Sequence, residues 1–376
     1  MQRRIQDGII ASVPEYNLLL GPMRSTKERA QTYEGLTRDN LLSAYRWMVL
    51  SRRLDDKEIQ LRNQSQIFFQ ISGAGHEAIL VAAGMALKPG HDWFFPYYRD
   101  RALALVLGVT PYEMLLAAVG SKDDPASGGR MMPSHWSNPA LHIVNGSSAT
   151  GTQCLHAAGC AEASKRFPAL GGPPPGQTLH DDEVTYVSLG DGAAGEGEFW
   201  EFLNTISSER LPLVCVVEDN GYAISCPAEF HTAGGDLSRL LEGFPNLEVI
   251  RVDGTDLVQS YRAICEAVAY ARARKGPALV HAKVVRPYSH SHSDEERNYK
   301  SPEERELEAA HDPIANLTQF LKSESLATEQ ELAEIRRDVD AEIAEAVERA
   351  LKAPRPPLDS AGLWVYSPTI DPTAQE

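Results

Sequence analysis

VTYVSLGDGAAGEGEFWEFLN, residues 184–204, leads after a short break into LPLVCVVEDNGYAIS, residues 211–225. The two apolar runs in it, 184–189 and 211–218, are rich in valine and lack the alternation of a half-exposed strand, so they read as strands buried on both faces. A helical segment lies between them at 196–208. Two further runs, LEVIRVD (247–253) and ALVHAKVV (278–285), flank a second helical segment at 256–274. Strands and helices alternating in this way predict an α/β fold, a central parallel sheet with helices on both faces. Ligands of such sheets sit beyond the carboxyl ends of the strands, and the first strand runs straight into Gly190-Asp191-Gly192. The glycines let backbone approach an anionic group. The helix that follows offers free N–H groups and partial positive charge, and Asp191 offers a hard carboxylate. Twenty-seven residues separate Gly192 from Asn220. That is room for one turn, one crossover helix and one strand, which places Asn220 at the next strand end, close to Asp191. Two oxygen ligands on adjacent strand ends suit magnesium, which shares its octahedral oxygen shell with phosphate oxygens. Taken alone, GDG reads equally well as an ordinary strand-to-helix turn, and Asn220 as a turn residue before Gly221.

Upstream, Thr37 caps a helix with Leu41, Leu42, Tyr45, Met48 and Val49 on one face, followed by Arg52 and Arg53. Residues 76–87 form a buried, alanine-rich helix ended by Lys88-Pro89-Gly90, and Thr110-Pro111 opens another that continues to 119. The Gly-, Ser-, Pro- and Asn-rich stretch 121–150 is a long loop of the kind that carries function. A helix covers 152–166. Residues 167–182, with Pro173-Pro174-Pro175, fit neither a helix nor a central strand and read as a surface insertion. A long charged helix spans 327–351, and Trp364, Val365 and Tyr366 in the closing tail are expected to dock. The expected organisation is an N-terminal arm (1–36), the α/β domain (37–325) and a C-terminal helix with its tail (326–376).

A net charge of −16 repels phosphate backbones, which excludes nucleic acid as a partner. Mean hydropathy is −0.31 and no apolar run approaches a membrane span, so no membrane association is expected. Cys154, Cys160, Cys215, Cys226 and Cys265 are odd in number and scattered, with no CxxC pair. They read as reduced residues of a cytoplasmic protein. The N-terminus, MQRRIQDGII, has no apolar signal core.

The GDG and EDNGYAIS segments, together with GAGHEA (73–78), PYYRD (96–100), GGRMMPSHW (128–136), SSATGTQ (147–153) and HSHSD (290–294), occur in an order that resembles the α subunits of thiamine-diphosphate-dependent 2-oxoacid dehydrogenases. The resemblance covers residues 40–325 and, more loosely, the tail. It implies a thiamine-diphosphate-binding fold. Magnesium would be held by Asp191, Asn220 and the backbone carbonyl of Tyr222. Gly190, Gly192 and Ala193 would lie against the diphosphate, with Tyr98 and Arg99 contacting it, and Ile224 would pack on the pyrimidine. His290 matches an active-site histidine on a loop, able to move protons to and from the substrate adduct and a lipoyl group. Ser291 matches a serine phosphorylated in mitochondrial relatives. Ser147, Thr152 and Gln153 match a potassium site, although Ala149 and Thr150 replace more usual residues. His135 faces the cofactor region in relatives and reads equally as a structural histidine. His290, His292 and Asp294 also admit a metal site of their own.

The same resemblance implies partners. The glutamate that acts on the aminopyrimidine comes from a separate β subunit in this family, and no second α/β half is present here. The expected assembly has two α and two β chains, acts on a small 2-oxoacid and delivers to the lipoyl domain of a dihydrolipoyl acyltransferase. NGYAIS, HDPIANLTQFL (311–321) and the late WVY resemble branched-chain 2-oxoacid dehydrogenases, the enzymes of branched-chain amino acid catabolism. Glu218, where branched-chain relatives often carry arginine, and EDN in place of paired asparagines depart from that pattern. Pyruvate and acetoin are the alternative substrates. A scaffold chain without turnover is the alternative of another class, against which Asp191, Asn220 and His290 all remain. A generic nucleotide-binding module lacks support, since there is neither a GxGxxG after an early strand nor a GxxxxGK[ST] loop.

Overall fold

The computed structural model describes residues 33–176 and 178–363. The docking expected of Trp364, Val365 and Tyr366, and most of the expected N-terminal arm, lie outside them. The chain divides into Met1–Leu36 and Thr37–Glu376, and the following concerns the second unit.

Five parallel strands form the sheet, in the order β1 (Trp93–Phe95), β2 (Thr185–Gly190), β3 (Leu213–Asp219), β7 (Ala278–Lys283), β6 (Glu248–Asp253). A two-stranded hairpin, β4 (Tyr222–Ala223) with β5 (Cys226–Pro227), follows β3. Every residue of β2 and β3 is buried, as the unbroken apolar runs require. The edge strand β1 escaped the sequence reading because three residues carry no period.

The helices follow from handedness. The crossover from β2 to β3 runs through α6 (Gly197–Glu209), and that from β6 to β7, in the opposite direction along the sheet, through α9 (Leu257–Arg272). Right-handed crossovers of opposite direction put these helices on opposite faces. α5 (Thr152–Arg166) joins α6, where Ala157, Ala161, Phe199, Phe202 and Ile206 pack on Val187, Leu189, Cys215 and Val217. α2 (Glu77–Ala86) packs on α9 and on α3 (Arg101–Leu107). The short α7 (Ala228–His231) and α8 (Leu237–Leu240) lie between β5 and β6.

α1 (Arg38–Asn63) starts at a capping box of Thr37 and Asn40, and α4 (Pro111–Val119) at one of Thr110 and Glu113 with Pro111 at the first position. α10 (Pro302–Ala310) and α11 (Pro313–Ser323) lead to α12 (Glu329–Leu351), capped by Thr328 and Glu331. α12 packs on α1 and α4, with Arg336 donating to the Tyr45 hydroxyl at 2.7 Å and Arg38 paired with Glu331 at 2.5 Å. Residues 326–363 thus belong to the same body as the sheet.

After one 3-10 turn at Phe167–Leu170, the described residues of the insertion at 167–182 continue without regular structure, as its prolines dictate. Its far end is tied down. Asp182 bonds His91 at 2.7 Å and Lys88 at 3.0 Å, and its carbonyl accepts from Arg272 at 2.6 Å. Arg272 also forks onto the fully buried Asp92 at 3.0 and 2.8 Å, and Asp92 accepts from the Val184 amide that leads into β2. Removing one member of a buried pair strands the other charge. Arg272→Met is therefore expected to destabilise the fold by about 3–5 kcal/mol. An unchanged denaturation midpoint would contradict this.

Candidate functional site

Register brings the two strand ends together. Gly190 of β2 pairs with Glu218 of β3, so Asp191 and Asn220 emerge one and two residues beyond that pair. Asp191 is 4% exposed and its Oδ2 has no hydrogen-bond partner in the protein. The nearest cation-forming group is His231 of α7, with Nε2 at 3.3 Å. Burial, opposed by His231 and reinforced by the Asp219 charge, pushes Asp191 above the usual carboxylate range. Neighbouring Asp219 behaves in the opposite way. Burial works against its charge, yet His281 at 2.7 Å and Lys283 hold it well below that range. The sheet therefore ends in one neutralised carboxylate and one with an unused oxygen.

Two further features single out the same place. A Cβ on Gly192 would stand 2.7 Å from that of Ala223, so only glycine lets the GDG turn pass under the β4–β5 hairpin. Ala193 begins a 3-10 turn, Ala193–Gly195, which separates GDG from α6; the sequence had suggested a helix directly after it. On the hairpin, the Tyr222 amide donates to Asn220 Oδ1 at 3.2 Å, and Ile224 sits at φ +58° with 55% of its surface exposed. A β-branched residue in the left-handed region costs about 1–2 kcal/mol, and here the strain serves no burial. It presents an apolar side chain beside the polar turn, as a site that packs on a ring would. Ile224→Gly is expected to leave the fold as stable or more stable while weakening ligand binding. A loss of thermal stability would show instead that Ile224 is a packing residue.

Below the strand ends, Arg99 is 1% exposed. It donates to the Ser72 carbonyl, to the Tyr97 hydroxyl at 3.1 Å, and through Nη2 to His290 Nδ1 at 3.0 Å and the His290 carbonyl at 3.2 Å. Its guanidinium lies 5.2 Å from the centre of the Tyr98 ring, which stands T-shaped to the His290 ring. Tyr98, Arg99 and His290 therefore form one group. Burial, then Arg99 and Arg286, lower His290 to about 4. The ring is neutral with Nδ1 accepting, so Nε2 carries its hydrogen. The His290 amide is held by Asp294 Oδ2 at 2.8 Å, which also accepts from the Tyr299 hydroxyl.

The alternative metal site of His290, His292 and Asp294 does not form. His292 Nδ1 accepts from the Gln70 amide at 3.3 Å, and the His292 amide donates to the Gln70 carbonyl at 3.1 Å. Among the described residues no group of three His, Cys, Asp or Glu is placed to hold a metal. The set at the strand ends mixes a carboxylate, an amide and a carbonyl, which suits a cation that takes its remaining ligands from phosphate and water. Ser291 bonds Ser293 at 3.1 Å. His135 is fixed locally, Nδ1 donating to the Met132 and Pro133 carbonyls at 3.1 and 3.2 Å and Nε2 bonded to Ser148 at 2.7 Å. Ser147 accepts from the Ala149 amide within its own turn, Thr152 opens α5, and Gln153 donates to the Ser188 carbonyl at 3.0 Å.

Three participants went unassigned in the sequence. His231 contacts Asp191 from a helix of four residues. The buried Arg286 donates to the Ile224 carbonyl at 2.9 Å and the Tyr299 hydroxyl at 2.7 Å. His76, the residue before α2, is fully buried against Glu218, with Nδ1 and Oε2 2.6 Å apart. Burial, then Asp100, push Glu218 well above its usual range; burial raises Asp100 to about 7. Only the motif GAGHEA and the unexpected Glu218 hinted at the last pair.

Residues 45–359 match the family model described as the dehydrogenase E1 component. The chain belongs to that family. Its fold is the family's α/β thiamine-diphosphate-binding fold. This E1 component is 32% identical over 333 residues to a 2-oxoisovalerate dehydrogenase subunit alpha of Bacillus subtilis, covering 89% of this chain and 97% of that one. It is 31% identical over 368 residues to a 3-methyl-2-oxobutanoate dehydrogenase subunit alpha of Mycobacterium tuberculosis, covering 97% and 93%. It is 32% identical over 336 residues to the somatic, mitochondrial pyruvate dehydrogenase E1 component subunit alpha of Homo sapiens, covering 88% and 81%. Branched-chain and pyruvate relatives stand at the same distance, so identity alone does not choose between them.

Proposed function

We propose that this E1 component is the α subunit of a 2-oxoacid dehydrogenase complex that oxidatively decarboxylates a branched-chain 2-oxoacid such as 3-methyl-2-oxobutanoate and passes the acyl group to a lipoyl domain of the acyltransferase core. The observation that carries the reading is the buried Asp191 at a strand end, whose Oδ2 makes no hydrogen bond of good geometry and faces only His231 Nε2 at 3.3 Å. A buried polar atom without a partner calls for a ligand, and one beside Asn220 and an exposed, strained Ile224 fits a metal and a cofactor. Asp191, Asn220 and the Tyr222 carbonyl would hold magnesium. Gly190, Gly192, Ala193, Tyr98 and Arg99 would bind the diphosphate, and Ile224 would orient the pyrimidine. Thiamine diphosphate supplies the carbanion chemistry when bound. His290 is the proton-transfer group of this chain; in its neutral form the Arg99 hydrogen bond to Nδ1 leaves Nε2–H as a hydrogen-bond donor to the adduct. Potassium at Ser147, Thr152 and Gln153 belongs to the same reading; with its amide nitrogen on Ser188, Gln153 keeps its amide oxygen as an acceptor. A phosphate on Ser291 would add negative charge beside the diphosphate and disfavour binding.

The same reading, as the family resemblance implies, takes the glutamate acting on the aminopyrimidine from a β subunit, in an assembly of two α and two β chains. The five cysteines are free thiols, in keeping with the reducing cytoplasm. The substrate reading rests on NGYAIS and on residues 311–321. Glu218 departs from the branched-chain pattern, and pyruvate is the second reading. Both are tested by purifying the chain with its β subunit and assaying each acid with thiamine diphosphate and magnesium. The chain alone is expected to be inactive, and the complex to prefer 3-methyl-2-oxobutanoate over pyruvate by about tenfold or more in kcat/KM. The reverse preference selects pyruvate. Turnover by the chain alone removes the β-subunit assignment.

A further inference from the structure

An asparagine can ligate a cation only through its amide oxygen, yet the two ends of the amide have nearly the same shape. Something must decide which end faces the metal position. Two contacts at Asn220, and a third behind them, bear on this. Its Oδ1 accepts from the Tyr222 amide at 3.2 Å. Its Nδ2 lies 3.4 Å from His76 Nε2. His76 Nδ1 lies 2.6 Å from Glu218 Oε2. The side chains of His76 and Glu218 are fully buried, so these groups satisfy one another rather than water.

The directions of the two hydrogen bonds at the His76 ring are coupled, and the bond from the Tyr222 amide to Asn220 Oδ1, which leaves Nδ2 facing Nε2, selects the one in which Nε2 accepts. With Nδ1–H donating to Glu218 Oε2, the neutral ring leaves Nε2 as an acceptor. An acceptor there can be met only by the amide nitrogen of Asn220, which turns Oδ1 to the other side. Were Glu218 the donor to Nδ1, Nε2 would carry the hydrogen and the amide would sit reversed. We propose that Glu218 and His76 form a relay that sets the orientation of the Asn220 amide, and so are positioning residues for magnesium. The inference rests on the metal reading given above, and it assigns a role to the glutamate that departs from the branched-chain pattern.

The relay can be separated from mere packing by removing the need for orientation. In Asn220→Asp both oxygens are ligands, so nothing remains to be oriented. The experiment is a double-mutant cycle on the complex of the full chain with its β subunit. Mg2+ is titrated calorimetrically at saturating thiamine diphosphate, and the half-saturating concentration is read. His76→Phe is expected to raise it about 10- to 100-fold with Asn220 in place. With Asn220→Asp the same change is expected to raise it by less than about threefold, the non-additivity of coupled neighbours. Equal losses in both backgrounds would overturn the relay. Should His76→Phe not fold, Glu218→Leu takes its place and is expected to give the same loss. Glu218→Gln, which keeps an acceptor oxygen for Nδ1–H, is expected to bind like the unaltered complex; a loss there equal to that of Glu218→Leu also overturns the relay. Asp191→Asn is run alongside. If it leaves Mg2+ binding unchanged, the metal reading itself has failed. If it abolishes binding while His76→Phe acts equally in both backgrounds, only the relay has.

Discussion

Asp191→Asn is expected to abolish magnesium-dependent binding of thiamine diphosphate while making the unliganded chain more stable. The opposite signs come from one cause. The Asp191 carboxylate is buried, with Oδ2 unpartnered and only His231, at 3.3 Å, to offset its charge. Leaving such a group unsatisfied costs about 1–3 kcal/mol, and asparagine keeps the shape while removing the charge. For binding, the loss should exceed roughly 100-fold, since even a group that only orients a metal ligand is worth roughly 10- to 100-fold. The pH dependence has a definite sign. Burial raises Asp191 in the folded chain. Its protonated form is therefore favoured by folding, and its charge costs stability as pH rises from about 4 through the raised value. The gain from asparagine is thus expected near neutral pH and should vanish at acid pH, where the carboxyl is protonated folded and unfolded alike. Denaturant unfolding of both chains at neutral pH and at a pH well below the ordinary carboxylate value of about 3.9 tests this. A less stable Asp191→Asn chain at neutral pH would mean that Asp191 is a structural residue.

Much of this site is legible in sequence for a geometric reason. Asp191 and Asn220 follow valine-rich runs that can only be buried parallel strands, and adjacent parallel strands end side by side. The spacing of twenty-seven residues then places both groups without knowledge of any other contact. What the sequence hides depends on distant pairing. His76 and Glu218 are 142 residues apart, and nothing local marks either as the partner of the other. His231 reaches Asp191 from a four-residue helix too short to have a period. His292 illustrates the converse: its neighbours suggest a metal cluster, but backbone pairing with Gln70 turns it elsewhere. At the level of the fold, β1 is lost for want of length. α10 was not read because charged residues crowd its few apolar ones, whereas α11, opened by Asp312-Pro313 with Leu317 and Leu321 on its buried face, carried a readable pattern that was missed.

Arg99→Leu is expected to weaken diphosphate binding and to alter the titration of His290, and the two effects should separate in Arg99→Lys. Arg99 is a buried fork with donors on Ser72, Tyr97 and His290. Each charge-assisted bond it transfers to a phosphate is worth about 1.5–3 kcal/mol, so leucine should cost binding roughly 10- to 100-fold or more. His290 stands at about 4 through burial first and through Arg99 and Arg286 second. Removing Arg99 leaves burial and Arg286, so His290 should rise only part of the way to its ordinary value near 6.5. A histidine lowered in the folded chain costs stability as pH falls from about 6.5 to about 4, because the unfolded chain takes up the proton first. That acid-side loss should be smaller in Arg99→Leu. Lysine keeps the positive charge but not the planar fork. It should lose much of the affinity and leave His290 low. The His290 ring resonance, assigned by its disappearance in His290→Gln, reports the titration, and calorimetry reports the affinity. If lysine and leucine shift His290 alike, the geometry of the hydrogen bond to Nδ1, rather than the charge of Arg99, holds the imidazole neutral. His290 would then be freed for proton transfer whenever a bound diphosphate draws Arg99 away from it.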